Sequence, residues 1–495
     1  MMLLCLLISF SFFVQSESAR ILAVFPTPLI SHQSAYRSII HELLYRGHEV
    51  VLVTPMPEYP NGDSPDDLME IDVSEVTKEV WQERYIEDIT GKDKYTNEGL
   101  KHALQVATKV VEKQLELPEI KSFNNNNETF DLLLLEAWIR PTLFWTYIYD
   151  CPVVSINSFG PVFNDYTNFG GLSHPLLYPT SFQHEVWNLN MWQKIAALYD
   201  YWKMRSMYDE LEKEEDALAK RLFGNVPSLR EQKTSFQHLL VASLTHHHNT
   251  LTCSMVTSLF QELRQYLDSS AYGVIYVSLG NNMRPWMIPE RTQLKLISAF
   301  GKMSFNVLWK WDADISDLPY NVKIGKWFPQ AELLRHPNLR LFISQCGQQS
   351  IDEAIAAAVP VLGLPMAADQ WRNADQLLRH NIGTAIMLIN SNKTFSYRKN
   401  MHRLRTMIFD TPAPAPHRAA DAIEYILRHG GGHFVSPSLH VGWFKYFEIE
   451  LLIIVNICLC ISVFVFYKVV YFTFNMMVKK ATQRRELQES FKSLL

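Results

Sequence analysis

Short, almost unbroken apolar runs recur along this chain, separated by longer stretches in which apolar and polar residues follow helical spacing. In the first half the runs are Ile21 to Phe25, Glu49 to Thr54, Phe130 to Leu135 and Pro152 to Ile156. Each has strand length and lacks the alternation of a half-exposed strand, so each reads as a strand buried on both faces, as in a parallel sheet. Between the first two lies a helical stretch from about Gln33 to Arg46, closed by Gly47, which makes a βαβ opening. Val186 to Phe223 is long, helical and rich in aromatic and charged residues. A second set of runs comprises Val274 to Ser278, Val307 to Trp311, Lys323 to Ile324, Leu341 to Ser344 and Val361 to Leu364, with helical spacing between them and again over Ala419 to His429. Alternation repeated in two sets predicts an α/β fold of two doubly wound parallel sheets. Ligands of such sheets sit beyond the carboxyl ends of the strands.

The two ends follow a different pattern. Met1 to about Ala19 has an apolar stretch from Leu3 to Val14 and small residues at Ser16, Ser18 and Ala19, which fits a cleaved secretory signal despite the missing basic leader. Leu451 to Tyr467 is nearly all apolar; carried past Lys468 to Phe474 it gives about 24 residues, roughly 36 Å of helix, enough to cross a bilayer with some tilt. Lys479, Lys480, Arg484 and Arg485 follow directly, which predicts a cytosolic tail and a lumenal remainder, a single-pass type I arrangement. The expected division is a signal (1–19), a first domain (20–250), a linker (251–270), a second domain (271–430), a juxtamembrane segment (431–450), a transmembrane helix (451–474) and a tail (475–495). With 495 residues and 47% hydrophobic content both domains can bury full cores, while a net charge of -5 offers no footprint for nucleic acid.

Candidate chemistry concentrates between Leu341 and Asn373. The run ending at Ser344 leads into a small-residue turn around Gly347, where backbone N–H groups can approach an anion, and Ser350 opens a helix whose first N–H groups suit a diphosphate. Glu353 stands one turn in, placed for a ribose diol, and after the next run Asp369 and Gln370 form a polar pair able to grip sugar hydroxyls. With Trp327-Phe328-Pro329-Gln330 and His336-Pro337 upstream, the segment resembles the donor signature of the UDP-glycosyltransferases. The resemblance runs from about Arg20 to the C-terminal tail and is nearest to invertebrate members.

That resemblance implies a GT-B type fold, with two Rossmann-like domains facing across a cleft, the acceptor in the first and the UDP-sugar in the second. It also implies residue roles. His32, just after the first run, would be the general base, and Glu136, after Leu135, the carboxylate that orients it, where vertebrate relatives usually carry aspartate. Ser278, Gly280 and Asn281 match the phosphate-contacting turn, Trp327 the residue that stacks on uracil, and Gln330 its neighbour. Gln345, Ser350 and the backbone around Gly347 would hold the donor diphosphate, Gln349 would also bind the donor, and Glu353, Asp369 and Gln370 would meet the sugars. Gln345 stands where many members carry a histidine, so its help to the leaving group is neutral and independent of pH; Cys346 replaces the commoner glycine.

The implied activity is inverting hexosyl transfer, of glucose or glucuronic acid, from a UDP-sugar to a hydroxyl of a small lipophilic acceptor, as in detoxification at the endoplasmic reticulum membrane. The UDP-sugar is a co-substrate. No cofactor and no metal are expected, because helix N-termini and neutral donors carry the diphosphate. Of six cysteines, Cys5 lies in the signal and Cys458 and Cys460 in the span; Cys151, Cys253 and Cys346 suggest neither a disulfide framework nor a metal site. Asn127 and Asn392 each begin an Asn-x-Thr glycosylation triplet. Between Ala242 and Leu267 the junction is shorter than the family's and rewritten, which keeps a catalytically impaired lumenal binding protein as an alternative, beside transfer to a membrane lipid. Homo- and hetero-oligomers are both left open.

Overall fold

The computed structural model describes residues 18–88, 97–126, 128–158, 163, 176, 189–229, 238–242, 262–281, 288–366, 369–385, 397–431, 443–446 and 448–493. The first sheet contains β1 (Arg20–Val24), β2 (Glu49–Thr54), β3 (Leu68–Asp72), β4 (Leu132–Glu136), β5 (Val153–Asn157) and β6 (His238–Ala242), in the order β3-β2-β1-β4-β5-β6. The second contains β7 (Val274–Ser278), β8 (Asn306–Lys310), β9 (Val322–Gly325), β10 (Leu339–Ser344), β11 (Val361–Gly363) and β12 (Gly383–Ala385), in the order β12-β11-β10-β7-β8-β9. All pairings are parallel. In both sheets the winding reverses beside the first strand, between β1 and β4 and between β7 and β10. Those two gaps are where a doubly wound sheet opens a crevice for ligands.

The continuous apolar runs are explained by helices on both sheet faces. Ile21 and Ala23 of β1 pack with Tyr36, Ile39, Ile40 and Leu43 of the helix Ile30–Tyr45, while Leu22 and Val24 point the other way, into a cluster with Val110, Phe144 and Leu211. Burying each large aliphatic side chain contributes about 1.5–3 kcal/mol. The helix Ala415–His429, which follows the second sheet, puts Ala419, Ala420, Ile423 and Ile426 into the first sheet's core. Two short edge strands carry no legible run: β3 reads Leu-Met-Glu-Ile-Asp, and β12 is only Gly-Thr-Ala. Gly383 is required there, since a Cβ would fall 2.1 Å from the Val361 carbonyl oxygen.

Residues 436–495 form a separate compact unit. Its helix, Ile449–Ser493, continues through the basic tail beyond the expected end at Phe474. No glycine or proline interrupts Ile449–Ser493, and the tail's Lys, Arg, Glu and Gln are strong helix formers. Ile449–Arg485, whose most apolar 18-residue stretch has a mean hydropathy of 2.7, is long and apolar enough to cross a membrane. The expected signal segment, residues 1–17, lies outside the described residues.

Candidate active site

β1 and β4 are neighbours in register, Val24 opposite Leu135, so the chain leaves both strands side by side. From β1 it passes Thr27 and enters the helix Ile30–Tyr45, whose first turn carries His32; β4 ends on Glu136. The His32 Nδ1 lies 3.0 Å from Glu136 Oε1, with His32 7% and Glu136 0% exposed. Glu136 collects further donors: Thr27 Oγ1 at 2.8 and 2.9 Å, Trp138 Nε1 at 2.8 Å and the Tyr36 hydroxyl at 3.2 Å. Burial, reinforced by the Glu136 charge, raises the Tyr36 hydroxyl well above its ordinary pKa, so it stays a donor. With Glu136 accepting throughout, His32 Nδ1 carries the proton and Nε2 the lone pair, the tautomer a base needs. The ring edges of Tyr36 and Trp138 flank the imidazole.

The second crevice gathers the ends of β7, β8 and β10. After β7, Gly280 adopts φ +79°, a conformation that favours glycine, and a Cβ on it would meet the movable end of the Gln345 side chain. The Gln345 Oε1 is buried with no hydrogen-bond partner among the described residues. Lys310, the last residue of β8, donates to the Gly280 carbonyl at 3.2 Å and to Asn281 Oδ1. Sequence reading missed this cation; its signal is position alone, at the carboxyl end of the strand beside the phosphate turn.

The turn after β10 differs from expectation. The left-handed residue is Cys346, φ +68°, whereas Gly347 is extended, φ -62°, and caps the helix Gln348–Ala356, which thus opens two residues before Ser350. A left-handed non-glycine costs about 1–2 kcal/mol, which explains why glycine is the commoner choice at 346. Burial pushes the Cys346 thiol up to about 12, so it is a small filler and no nucleophile. Gln330 Nε2 donates to Ser350 Oγ at 3.1 Å and to Glu353 Oε2 at 2.9 Å, tying three predicted donor residues together beside the half-exposed Trp327 ring.

Asp369 directly precedes the helix Gln370–Arg379, makes no side-chain capping bond, and accepts from Asn373 Nδ2 at 2.6 Å. Burial raises its carboxyl to about 6, opposed by Asn373, by the His32 charge and by the Gln348 backbone N–H. His32 beside the first sheet and Asp369 beside the second therefore influence each other. Burial likewise raises Asp352 to about 7, against a 3.0 Å bond from Gln348, with Glu353 and Asp369 adding repulsion. Gln370 is turned inward, accepting from the Met366 N–H at 2.8 Å. The amide of Gln349, an expected donor-binding residue, donates to the Ser158 carbonyl at 3.2 Å, at the end of β5 in the first sheet.

Asn127, Asn392 and residues 243–261 of the rewritten junction lie outside the described residues. Among the described residues no group of three His, Cys, Asp or Glu side chains could hold a metal ion. An Asp-x-Asp spacing does occur, Asp312-Ala313-Asp314, but both carboxylates are exposed on the loop after β8.

A family model described as UDP-glucoronosyl and UDP-glucosyl transferase matches residues 20–484. The chain belongs to that family. As a UDP-glycosyltransferase it uses a UDP-sugar donor. Similar relatives include the ecdysteroid UDP-glucosyltransferase of Mamestra brassicae nuclear polyhedrosis virus, 30% identical over 83% of this chain and 85% of that protein. A UDP-glycosyltransferase of the insect Dactylopius coccus is 28% identical over 93% and 97% respectively. Solved structures share the fold at lower identity: the glycotransferase of kitacinnamycin (15% identical, TM-score 0.54, 83% of this chain and 99% of that one) and the Arabidopsis thaliana protein UGT89C1 with UDP (15%, 0.51, 83% and 100%). The two-domain GT-B architecture of this UDP-glycosyltransferase is thus shared well outside its close relatives.

Proposed function

We propose that this UDP-glycosyltransferase transfers glucose, with inversion, from UDP-glucose to a hydroxyl of a small lipophilic acceptor, with His32 as general base. The observation that carries the reading is the His32–Glu136 pair at the β1/β4 switch point, electrostatically in touch with Asp369 of the second sheet. His32 Nε2 takes the acceptor proton as its oxygen attacks the anomeric carbon; the bond to the diphosphate breaks on the opposite face, and UDP leaves. Glu136 holds the imidazole and stabilises its cation. Ser350, Gln345 and the first N–H groups of the helix Gln348–Ala356 receive the diphosphate, joined by Lys310, while Trp327 stacks on uracil. Metal is not needed in this scheme.

Glucose is favoured over glucuronate by the relatives' names and by the acidic group Asp352, Glu353 and Asp369, which would oppose a uronate carboxylate. Relatives named for ecdysteroids support an acceptor of steroid size that combines apolar surface with hydroxyls. The apolar helix from Ile449 and the basic residues after it support a lumenal enzyme held in the endoplasmic reticulum membrane. The reading is tested with full-length enzyme in microsomes, labelled UDP-glucose and UDP-glucuronate, and steroid and phenol acceptors, with and without EDTA. His32→Ala should abolish transfer while leaving UDP affinity nearly unchanged. Turnover like wild type removes His32 from the mechanism, and EDTA-sensitive activity restored by magnesium refutes the metal-free scheme.

A further inference from the structure

The donor helix Gln348–Ala356 is tied to the catalytic pair by a path of contacts that the transfer scheme does not use. Gln349, in its first turn, donates to the Ser158 carbonyl at 3.2 Å across the two sheets. Ser158, 4% exposed, presents its backbone to the Tyr36 hydroxyl, while its own Oγ is buried with no hydrogen-bond partner among the described residues. Tyr36 in turn donates to Glu136 at 3.2 Å, and Glu136 holds His32 at 3.0 Å. Every side chain on this path past Gln349 is buried, so displacement at one end is carried by packed groups and is not dissipated in solvent.

We propose that Gln349 is a positioning residue that couples donor binding to the acceptor base: a diphosphate seated at the start of the donor helix fixes Gln349 on Ser158, and Ser158 fixes Tyr36, Glu136 and His32. The inference rests on the donor site proposed above. Its length requirement is sharp, because asparagine keeps the amide but lacks the methylene that lets it reach the other sheet. A glutamine here joins the halves only when they are closed on each other, so the base is set for reaction in the donor-bound enzyme and is looser without it.

The test uses full-length protein in nanodiscs, with amide hydrogen exchange read with and without UDP for wild type, Gln349→Ala and Gln349→Asn. In wild type, UDP should slow exchange in the donor-helix peptide 348–356 and also in the β5 peptide 153–158. In both variants the slowing at 348–356 should persist and that at 153–158 should vanish, with kcat down about ten-fold or more and KM for UDP-glucose little changed, since the base is displaced while the donor's own contacts remain. Absence of UDP protection at 348–356 in wild type refutes the donor-site reading itself. Protection there without protection at 153–158, or β5 protection that survives in Gln349→Ala, overturns the coupling alone.

Discussion

Replacing Glu136 by glutamine separates charge from geometry at the base. Glu136 Oε1 accepts from His32, Tyr36, Trp138 and Thr27, whereas Oε2 accepts, among the described residues, from Thr27 Oγ1 alone, at 2.9 Å. A glutamine with its oxygen at the Oε1 position keeps every bond there, and its amide can donate to the Thr27 hydroxyl, which turns to accept. The fold and UDP binding should therefore be preserved. What is lost is the anion facing the imidazolium that forms as the acceptor proton moves. Two unit charges about 4 Å apart at an effective dielectric of about 20 interact by about 4 kcal/mol, which corresponds to about a thousand-fold in kcat. Glu136→Ala differs: it leaves Trp138, Tyr36 and Thr27 donors buried without an acceptor, at about 1–3 kcal/mol each, so it should lower the melting temperature as well. The assay is steady-state glucosyl transfer, with thermal melting and UDP calorimetry on the same preparations. A Glu136→Gln enzyme within ten-fold of wild-type kcat, with normal melting and UDP affinity, would refute the orienting and charge-stabilising role.

Two further outcomes follow from the second crevice. Lys310→Met should weaken UDP binding by about ten-fold or more, since a hydrogen bond to a charged group is worth about 1.5–3 kcal/mol, yet leave uridine binding unchanged; equal losses for both ligands would make Lys310 a turn brace only. Asp352 is an acid whose folded pKa, about 7, lies above the ordinary value of 3.8, so its ionisation destabilises the fold progressively as pH rises from about 4 to about 7. Discounted for the side chain's partial exposure, Asp352→Asn should stabilise by about 1–2 kcal/mol at pH 8 and by almost nothing near pH 4, and an equal change in melting temperature at both pH values would contradict this.

The strands were legible because burial on both faces leaves no room for polar residues: β2 and β7 begin and end where their apolar runs do. β3 and β12 were not, because an edge strand need be apolar on one face only and three residues carry no period. The composition around Gly347 announced a special turn but not which residue bears it; φ +68° at Cys346 is a tertiary fact. Lys310, and the reach of Gln349 to the other sheet, escaped for a similar reason. A lysine at a strand end is ordinarily solvated, and no spacing in one chain reveals that a glutamine reaches a carbonyl 191 residues away.

The helix Ala415–His429 bears on how such enzymes can be recombined. Its Arg46–Asp421 contact at 2.7 Å and its Glu42–His417 contact at 2.8 Å, with Ala419, Ala420, Ile423 and Ile426 beneath, join this helix to the first domain. A chimera that exchanges halves between two family members at the interdomain junction would import a foreign wall into the recipient's first core. Small residues at 419 and 420 would meet side chains selected against a different surface, and failures of such hybrids would look like lost acceptor specificity when the cause is a misfitted core. Keeping residues 415–429 with their native first domain, and exchanging only the span from β7 to β12, swaps donor preference without disturbing that wall.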